Sequence, residues 1–358
     1  MIKNFFLISV RNMMKNRLFI FINIFGLAIS IACCLVAYFL YDFNQSFDRY
    51  HENASTIYRV SSIREFQNQK TKYGHVPIGL GSVMRQNVTE LDNAIRFQLS
   101  FYDFRINDDV FNSLIGLVDP EFFNVFTFEF VEGNGTITNK NQIAISETLA
   151  KKYFGDEKAL GKTLNQSLDS GKYKPFTIIG VFKKPPFNTS FNFDAYAHFD
   201  NQFDRAAYTE NSWVERINLF VQVPNSSRIT TIESQIKPYT ENNNLAKQDF
   251  IISDFVLEPF VGMGVRDSYS GIQGSFTNQG AHIAAIYGTA IMSLFILLIA
   301  CFNLTNTAIA VSSRRLKEIG IRKVMGSTRK NLIMQFIGET AFICFIALLL
   351  GILIGEWL

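Results

Sequence analysis

Cysteine and histidine are both scarce in this sequence, with only four of each among 358 residues. All four cysteines lie in strongly apolar stretches and none occurs between residues 42 and 281, which argues against a disulfide framework for that long middle region. Neither the paired CxxC spacing nor the HExxH pattern of zinc sites is present, and GxSxG is missing as well. We therefore predict no catalytic residue, no metal site and no cofactor, and we expect that the chain is not an enzyme.

One stretch comes close to a phosphate-binding loop. Residues 155–163 read GDEKALGKT, but Asp156 stands where the GxxxxGK[ST] pattern needs its first glycine, and its carboxylate would oppose a phosphate. A helix is predicted before this stretch and a polar, turn-rich segment after it, whereas a phosphate-binding loop joins a strand to a helix. We interpret the stretch as a helix end followed by a turn.

Three long apolar runs stand out from the rest of the sequence. Residues 18–41 and 281–311 contain no charged side chain, and residues 331–358 contain only Glu339 and Glu356. Each run is long enough to cross a hydrocarbon layer of about 30 Å as a helix. The first run exceeds the apolar region of a signal peptide and no small-residue cleavage site follows it, which favours a retained span. The sequence thus predicts three transmembrane helices.

The distribution of charge orients these spans. Four basic residues precede the first span and seven lie between the second and third, with Glu318 as the only acid among them. By the positive-inside rule both segments are cytoplasmic, and residues 42–280, with a net charge of about −5, lie outside. Residues 1–17 have apolar side chains at helical spacing and bases mostly opposite, which predicts a cytoplasmic amphipathic helix; an extended basic flank is the alternative. The overall charge of +3 gives no reason to expect a nucleic-acid partner.

The outside region mixes strand-like and helical patterns. Strands are predicted at 56–60, 142–145, 176–182 and 218–223, and a short helix at 229–237. Asp119 is predicted to cap a helix that begins after Pro120, and Ser146 to cap one that ends at Gly155. The many phenylalanines are expected to form the core. The predicted fold class is an α-helical membrane protein with three spans and a large inserted α+β extracytoplasmic domain.

Two features inside the spans suggest roles. Small side chains recur on one face of the first span and predict close helix packing there: Gly26, Ser30, Cys33 and Ala37. Glu339 lies about two turns into the third span, where an acid is expected to pair with a base such as Arg329 or Lys330. We favour a structural or coupling role for Glu339 over proton relay.

Residues 312–330, called the coupling segment below, carry most of the basic charge between spans two and three. A solvated positive flank would explain the charge, but not the interleaved apolar residues Ile319, Ile321, Val324 and Met325, which indicate a docking surface. A short helix is predicted here that ends at Gly326, followed by a cap at Ser327 for span three.

The coupling segment carries a specific family resemblance. Residues 313–327, SRRLKEIGIRKVMGS, resemble the RRxKEIGIRKVxGA-type segment of MacB/FtsX-type ABC transporter permeases. The LIMQFIGE that follows at 332–339 resembles the same family's LIxQFxxE continuation. The outside region is similar to the family's periplasmic core domain at VDPEFF (118–123), ISETLAKKYFG (145–155), GKTL (161–164) and FTIIGV (176–181). The resemblance covers essentially the whole chain in order.

The resemblance implies an inner-membrane permease subunit that hydrolyses no ATP itself. A separate cytoplasmic ATPase would grip the coupling segment and, by mechanotransmission, move the periplasmic domain to export or extract an envelope substrate. Expected partners are this ATPase, a second permease copy or half, and a periplasmic adaptor or hydrolase. The residues implied to contact the ATPase are Arg314, Arg315, Lys317, Glu318, Ile319, Gly320, Ile321, Arg322, Lys323, Val324 and Gly326.

Two alternatives stay open at this point. One is a signal transmitter of the FtsX kind that activates a periplasmic cell-wall hydrolase or senses an envelope ligand; the other is a membrane-anchored sensor or adhesion domain without an ATPase. Family permeases have four spans, or eight when duplicated, whereas this chain supplies three. We interpret it as an N-terminal portion of a longer permease.

Overall fold

The computed structural model describes residues 17–106, 109–168, 172–204, 209–277 and 281–357. The amphipathic helix predicted before the first span therefore lies outside the described residues. The chain divides into two compact units: one combines the segment up to Phe43 with the segment from Ile283 onward, and the other is Asn44–His282. The predicted boundaries at 41/42 and 280/281 differ from this division by two residues each.

Helices and strands are numbered here in chain order. The α-helices are α1 (Arg17–Gln45), α2 (Ile78–Asn87), α3 (Phe122–Val125), α4 (Glu147–Phe154), α5 (Ile229–Ile236), α6 (Thr240–Ala246), α7 (Met263–Tyr269), α8 (Ile283–Arg314), α9 (Leu316–Val324) and α10 (Arg329–Trp357). The strands are β1 (Ile57–Phe66), β2 (Gln69–Tyr73), β3 (Val76–Pro77), β4 (Asn93–Ile106), β5 (Asp109–Val118), β6 (Phe130–Gly133), β7 (Gln142–Ser146), β8 (Thr163–Ser167), β9 (Tyr173–Phe182), β10 (Ala195–His198), β11 (Arg216–Gln222) and β12 (Ile252–Pro259).

The first unit consists of long apolar helices. In the described residues α1, α8 and α10 are each long and apolar enough to cross a membrane, as the three uncharged or nearly uncharged runs predicted. The helix α8 continues to Arg314, three residues beyond the predicted end of the second span. Together with the sheet-rich second unit, this confirms the predicted fold class.

Small residues bring α1 and α10 together. A Cβ atom on Gly351 would lie 2.9 Å from the Ala28 carbonyl oxygen, so only glycine permits this approach. On α1, Ser30 and Ala37 are buried, but the position of a Cβ on Gly26 has nothing within 4 Å. Among the described residues the close approach of α1 thus occurs at Ala28, opposite Gly351 of α10, and a packing role for Gly26 stays a prediction.

The second unit is built on one continuous sheet. In the described residues twelve strands pair in the order β12-β1-β11-β4-β5-β10-β7-β9-β6, with β2 beside β1 and β3 beside β11. The strand β8 pairs with both β4 and β9, so that β4, β5, β10, β7, β9 and β8 close into a six-stranded barrel. The four predicted strands are confirmed in β1, β7, β9 and β11, except that Thr56 precedes β1 and Val223 follows β11.

Apolar side chains fill the barrel and cover its outer face. The barrel interior contains Phe104, Ile115, Leu164 and Phe176, all at most 2% exposed. A second cluster, rich in phenylalanine, packs on the other face of the sheet and includes the fully buried Phe122, Phe126, Phe191 and Phe220. The expectation that the phenylalanines form the core is confirmed for these residues.

Two local helix signals had different outcomes. Ser146 caps α4 as predicted, because its Oγ accepts a hydrogen bond from the Leu149 amide at 3.1 Å, and Gly155 ends the helix with a φ of 62°. Asp119 does not cap α3. Its buried carboxylate instead accepts hydrogen bonds from Arg85 and Arg96, which hold it away from the helix start.

Candidate functional site

The coupling segment folds into a short helix between two breaks. The helix α8 ends at Arg314, Arg315 leaves helical geometry with φ −96° and ψ 9°, and α9 follows at once. At the far end Gly326 adopts a φ of 91°, which glycine tolerates without strain, and its amide donates to the Lys323 carbonyl. The helix therefore ends where the sequence predicted.

The start of α10 differs from its prediction by one residue. The Oγ1 of Thr328 accepts a hydrogen bond from the Asn331 amide at 3.3 Å, directly before the helix begins at Arg329. The Ser327 amide is instead used to close α9, since it donates to the Arg322 carbonyl at 2.9 Å. Ser327 thus completes the end of one helix, and Thr328 caps the next.

A polar network fastens this short helix to α10. The Arg315 guanidinium donates to a Glu339 carboxylate oxygen at 2.8 Å, and both side chains are mostly buried. Arg322 donates to the Gln335 amide oxygen at 2.6 Å, and Gln335 in turn donates to Glu339 at 3.3 Å. The partner of the intramembrane acid is therefore Arg315 rather than Arg329 or Lys330, because the break after α8 turns Arg315 inward.

A small cavity lies beside this network. It has a volume of about 120 Å³ and is lined by residues of α1, α8 and α10. Polar groups reach it from each helix: Asn23, Thr307, Ser312 and Thr340, besides Arg315 and Glu339. Asn23 is itself 5% exposed and accepts a hydrogen bond from Asn303 at 3.3 Å. Polar side chains therefore surround the ion pair, which compensates for its removal from water.

The opposite side of α9 is apolar and open. The side chains of Ile321, Val324 and Met325 are 62%, 90% and 83% exposed, and we call these three residues the apolar tip. Lys317 and Lys323 are exposed nearby. Three such large apolar groups on one helix end are unusual for a surface that only contacts water. The apolar residues interleaved with the basic run had indicated a docking surface that includes Ile319 as well as these three residues, and that role stays a prediction.

The other predicted contact residues divide between inward and outward positions. Ile319 is half-buried in a groove formed with Leu304 and Ala308 of α8, and Arg315 is held by Glu339, so both face the helices rather than a partner. Gly320 is exposed, with nothing near a Cβ at its position. The side chains of Arg314 and Glu318 lie outside the described part of the structure. Which of the remaining residues contact a partner stays a prediction.

The second unit contains a buried ionic cluster that sequence patterns did not indicate. The Arg59 side chain is 0% exposed and donates to Asp267 at 2.5 and 2.8 Å and to Glu258 at 2.8 Å. Burial raises the pKa of Glu258, but hydrogen bonds from Arg59, Lys72 and Ser61 outweigh this effect and lower the pKa to about 2. The cluster joins β1, β12 and α7 and is called the Arg59 cluster below.

Asp48 is a second buried acid, close after the end of α1. Its carboxylate accepts hydrogen bonds from the Ser190 amide and Oγ, both at 2.6 Å, and from Thr189 Oγ1 at 3.0 Å. Burial raises the pKa of Asp48 to about 6, although these hydrogen bonds lower it. Nearby, burial lowers the pKa of His51 to about 3, and its Nδ1 accepts a hydrogen bond from the Thr127 amide.

The raised pKa of Asp48 predicts a specific pH dependence. At pH 7 an ionised, buried Asp48 lowers the free energy of unfolding. This loss disappears as the pH falls from the folded-state pKa of about 6 to the ordinary pKa of 3.8. Relative to an Asp48→Asn variant, the free energy of unfolding of the wild type should therefore increase by about 3 kcal/mol from pH 7 to pH 3.5. Urea unfolding of both proteins at the two pH values measures this. A difference that stays constant with pH would contradict the assignment.

The stretch that comes close to a phosphate-binding loop takes a different form in the structure. The GDEKALGKT stretch forms the end of α4 and a turn, and the strand β8 follows where a phosphate-binding loop would need a helix. Among the described residues no group of three or more His, Cys, Asp or Glu side chains could hold a metal ion.

Two family models match the chain. The MacB-like periplasmic core domain matches residues 20–239, and the FtsX-like permease C-terminal domain matches residues 290–358. The first match includes most of α1 and most of the second unit, and the second match includes the coupling segment and α10.

Curated relatives cover much of the chain at low identity. The macrolide export ATP-binding/permease protein MacB of Neisseria meningitidis serogroup B is 28% identical over 254 residues, which are 69% of this chain and 35% of that protein. The uncharacterized ABC transporter permease YknZ of Bacillus subtilis is 24% identical over 261 residues, 70% of this chain and 58% of that protein. The chain thus spans about a third of the length of the MacB relative.

A solved structure shares the fold of the second unit. A crystallised domain of a protein described as a permease from Porphyromonas gingivalis has a TM-score of 0.50 and 20% sequence identity. The match covers 58% of this chain and 91% of the crystallised domain.

Proposed function

The chain belongs to the family of MacB/FtsX-type ABC transporter permeases, and we propose that it is the membrane subunit through which a cytoplasmic ATPase moves the extracytoplasmic domain. In this proposal the ATPase is a separate cytoplasmic subunit. The proposed location is the cell inner membrane, with the Asn44–His282 unit in the periplasm and the coupling segment in the cytoplasm.

The observation that carries this proposal is the apolar tip on α9. A solvated positive flank needs only charge, whereas Ile321, Val324 and Met325 present a contiguous apolar surface beside Lys317 and Lys323. An apolar anchor inside a charged rim is the composition of protein interfaces, where a few buried side chains supply most of the affinity. The tip would fill a groove of the ATPase, and the lysines would pair with acids around it.

The network behind the tip supports transmission of movement. A nine-residue helix is marginally stable alone, so α9 depends on its contacts with α8 and α10. The pairs Arg315–Glu339 and Arg322–Gln335 link α9 to the first turns of α10. A displacement of α9 by the ATPase would therefore shift α10 as well. By this route ATP hydrolysis would drive the periplasmic unit to export or extract an envelope substrate, with a second permease copy or half completing the transporter.

The proposal is tested by substitution at the apolar tip. We expect Val324→Asp to lower recovery of an ABC ATPase with the full chain at least about 10-fold, because a carboxylate would replace an apolar side chain that the ATPase is proposed to bury. The tagged chain is purified from native membranes in mild detergent with a non-hydrolysable ATP analogue, and the bound ATPase is quantified by mass spectrometry.

A matched control separates docking from a general loss of solubility or folding. Leu245 is also an exposed apolar residue, at 79%, but it lies on α6 of the Asn44–His282 unit, which is called the outside unit below. The Leu245→Asp variant should recover as much ATPase as the wild type. Equal recovery by Val324→Asp and wild type, or absence of any ABC ATPase from the wild-type preparation, would refute the proposed coupling role.

A further inference from the structure

A loop of the outside unit is fastened directly behind the end of α1. It follows β9 and reads KKPPF at residues 183–187, and it is called the proline loop below. The next residue, Asn188, donates from its side-chain amide to the Ser46 Oγ at 2.9 Å and to the Ser46 carbonyl at 3.2 Å. The Asn188 carbonyl accepts a hydrogen bond from the Asp48 amide at 2.8 Å. Because α1 ends at Gln45, these bonds fix the proline loop to the first residues after the span.

The tip of the proline loop is apolar and exposed. Phe187 is 75% exposed and Pro186 is exposed beside it, whereas Thr189, two residues further on, is fully buried. The two consecutive prolines each fix their φ angle, so this short loop loses little conformational entropy when its tip binds a partner. Single exposed apolar side chains are common on protein surfaces, so the position of Phe187 decides what the ring can contact.

Exposed aromatic side chains identify the same end of α1 as the level of the lipid headgroups. Four of them lie there: Tyr38, Phe39, Tyr41 and Phe43. Aromatic rings at the end of a span are typical of the membrane–water interface. Ser46 follows Phe43 by three residues, which is about 5 Å at the rise of a helix, and the headgroup layer itself is about 5–8 Å thick. Asn188, which is bonded to Ser46, and its neighbour Phe187 are therefore within reach of the headgroups.

Basic side chains flank the exposed ring. Lys184 is exposed three residues before Phe187, and Arg49 is exposed close after the end of α1. Lys183 contributes less, because its ammonium pairs with Glu129. Long basic side chains next to an aromatic ring are typical of surfaces that contact a bilayer, since the ring enters the interface while the charge stays at the lipid phosphates. The chemistry of the proline loop thus matches the level at which it is fixed.

We propose that the proline loop is a lipid-binding anchor of the outside unit, in which Phe187 inserts among the headgroups next to α1 and Lys184 pairs with a lipid phosphate. The contact needs only the span α1 and the bilayer around it, so it holds or fails independently of the proposed coupling role. A protein partner could also cover Phe187, but the bilayer is already present at the level where the loop is fixed. The anchor would restrain the outside unit where the chain leaves the membrane.

Fluorescence quenching by lipid tests the insertion. Phe187→Trp is prepared in a background of Trp213→Phe and Trp357→Phe, so that its indole is the only one in the full chain. The chain is reconstituted in nanodiscs whose phospholipids are brominated near the top of the acyl chains. We expect these lipids to lower the fluorescence at least about 2-fold relative to unbrominated ones, because an interfacial ring lies within reach of that depth.

Phe66→Trp in the same background is the matched control. Phe66 is also an exposed phenylalanine, at 58%, but it lies at the far end of β1, nine residues and about 30 Å from Ile57. The start of β1 lies near the proline loop, because the Ile57 carbonyl accepts a hydrogen bond from the Phe260 amide and the Phe260 ring stacks on Phe191. The brominated lipids should therefore quench the indole of Phe66→Trp little.

A charge reversal tests the contact with phosphate. An increase in the fraction of anionic phosphatidylglycerol in the nanodiscs should strengthen quenching of Phe187→Trp, and the additional change Lys184→Glu should abolish this increase. Lys70→Glu, at an exposed position on β2, is the control and should leave the increase intact.

Two results would overturn the proposal. One is equal quenching of Phe187→Trp and Phe66→Trp by brominated lipid, with free quenching of both by aqueous iodide, which would leave Phe187 available to a protein partner instead. The other is a response to phosphatidylglycerol that Lys184→Glu and Lys70→Glu change to the same extent. The melting temperature of Phe187→Trp should equal that of the background chain, since the replaced ring is exposed, and this excludes a change of fold as the cause of either result.

Discussion

Replacing Arg59 with methionine is expected to lower the free energy of unfolding of the outside unit by about 3–5 kcal/mol. The reason is that Asp267 and Glu258, with side chains 1% and 8% exposed, would stay buried without the guanidinium that pairs with both. Serine hydroxyls would not replace it, because Ser61 and Ser275 each supply only one proton to this cluster. Most of this decrease in the free energy of unfolding comes from leaving two carboxylates buried without a partner charge. The lost packing of the Arg59 side chain contributes less.

The chain offers a clean reporter for this measurement. It contains two tryptophans, of which Trp213 lies in the outside unit and Trp357 at the end of α10. In a Trp357→Phe background, the fluorescence of Trp213 therefore follows urea unfolding of the outside unit in the detergent-solubilised chain. The midpoint and slope of the transition give the free energy of unfolding.

The control for Arg59 is a second base of the same cluster. Lys72 also pairs with Glu258, at 2.8 Å, but its side chain is 40% exposed. Lys72→Met should therefore cost at most about 1 kcal/mol, as exposed ion pairs do. If Arg59→Met cost no more than Lys72→Met, the Arg59 cluster would not hold β1, β12 and α7 together in the way described.

Features that depend on residues close together in the sequence were predictable. The three spans follow from continuous apolar length, and the Ser146 cap and the Gly155 helix end follow from local backbone chemistry. Of the apolar residues predicted to dock a partner, Ile321, Val324 and Met325 are exposed and Ile319 is half-buried, and their contact with a partner stays a prediction. In each case the determining groups lie within one continuous segment of the chain.

Features that join distant parts of the chain were not predictable in the same way. Arg59 and Asp267 are 208 residues apart, and no pattern in the sequence relates an arginine in a strand to an acid in a later helix. The barrel closes because β8 pairs on both sides, which strand propensity does not indicate. Asp119 looked like a helix cap because of Pro120, but tertiary contacts with two arginines take its carboxylate.

The ion pair of Arg315 and Glu339 is expected to give the second large effect. Glu339→Arg would place two guanidinium groups where the structure has a 2.8 Å hydrogen bond. Because α9 is short, its attachment depends on this pair and on Arg322–Gln335, and we expect the amides of α9 to exchange hydrogen at least about 100-fold faster in Glu339→Arg. Recovery of the ATPase should fall in parallel.

A charge swap distinguishes a structural ion pair from a proton relay at the same position. The double variant Arg315→Glu with Glu339→Arg keeps opposite charges on the same two helices, and it should restore slow exchange in α9 and most of the ATPase recovery. Glu339→Gln retains an acceptor for Arg315 and should lose less than Glu339→Arg. If Glu339 instead relayed protons, Glu339→Gln and Glu339→Arg would lower the transport-linked ATPase activity equally. The charge swap would not restore this activity, because a guanidinium does not release its proton at physiological pH. Rescue by the swap would therefore assign Glu339 to coupling, and failure of the swap with full loss in Glu339→Gln would assign it to relay.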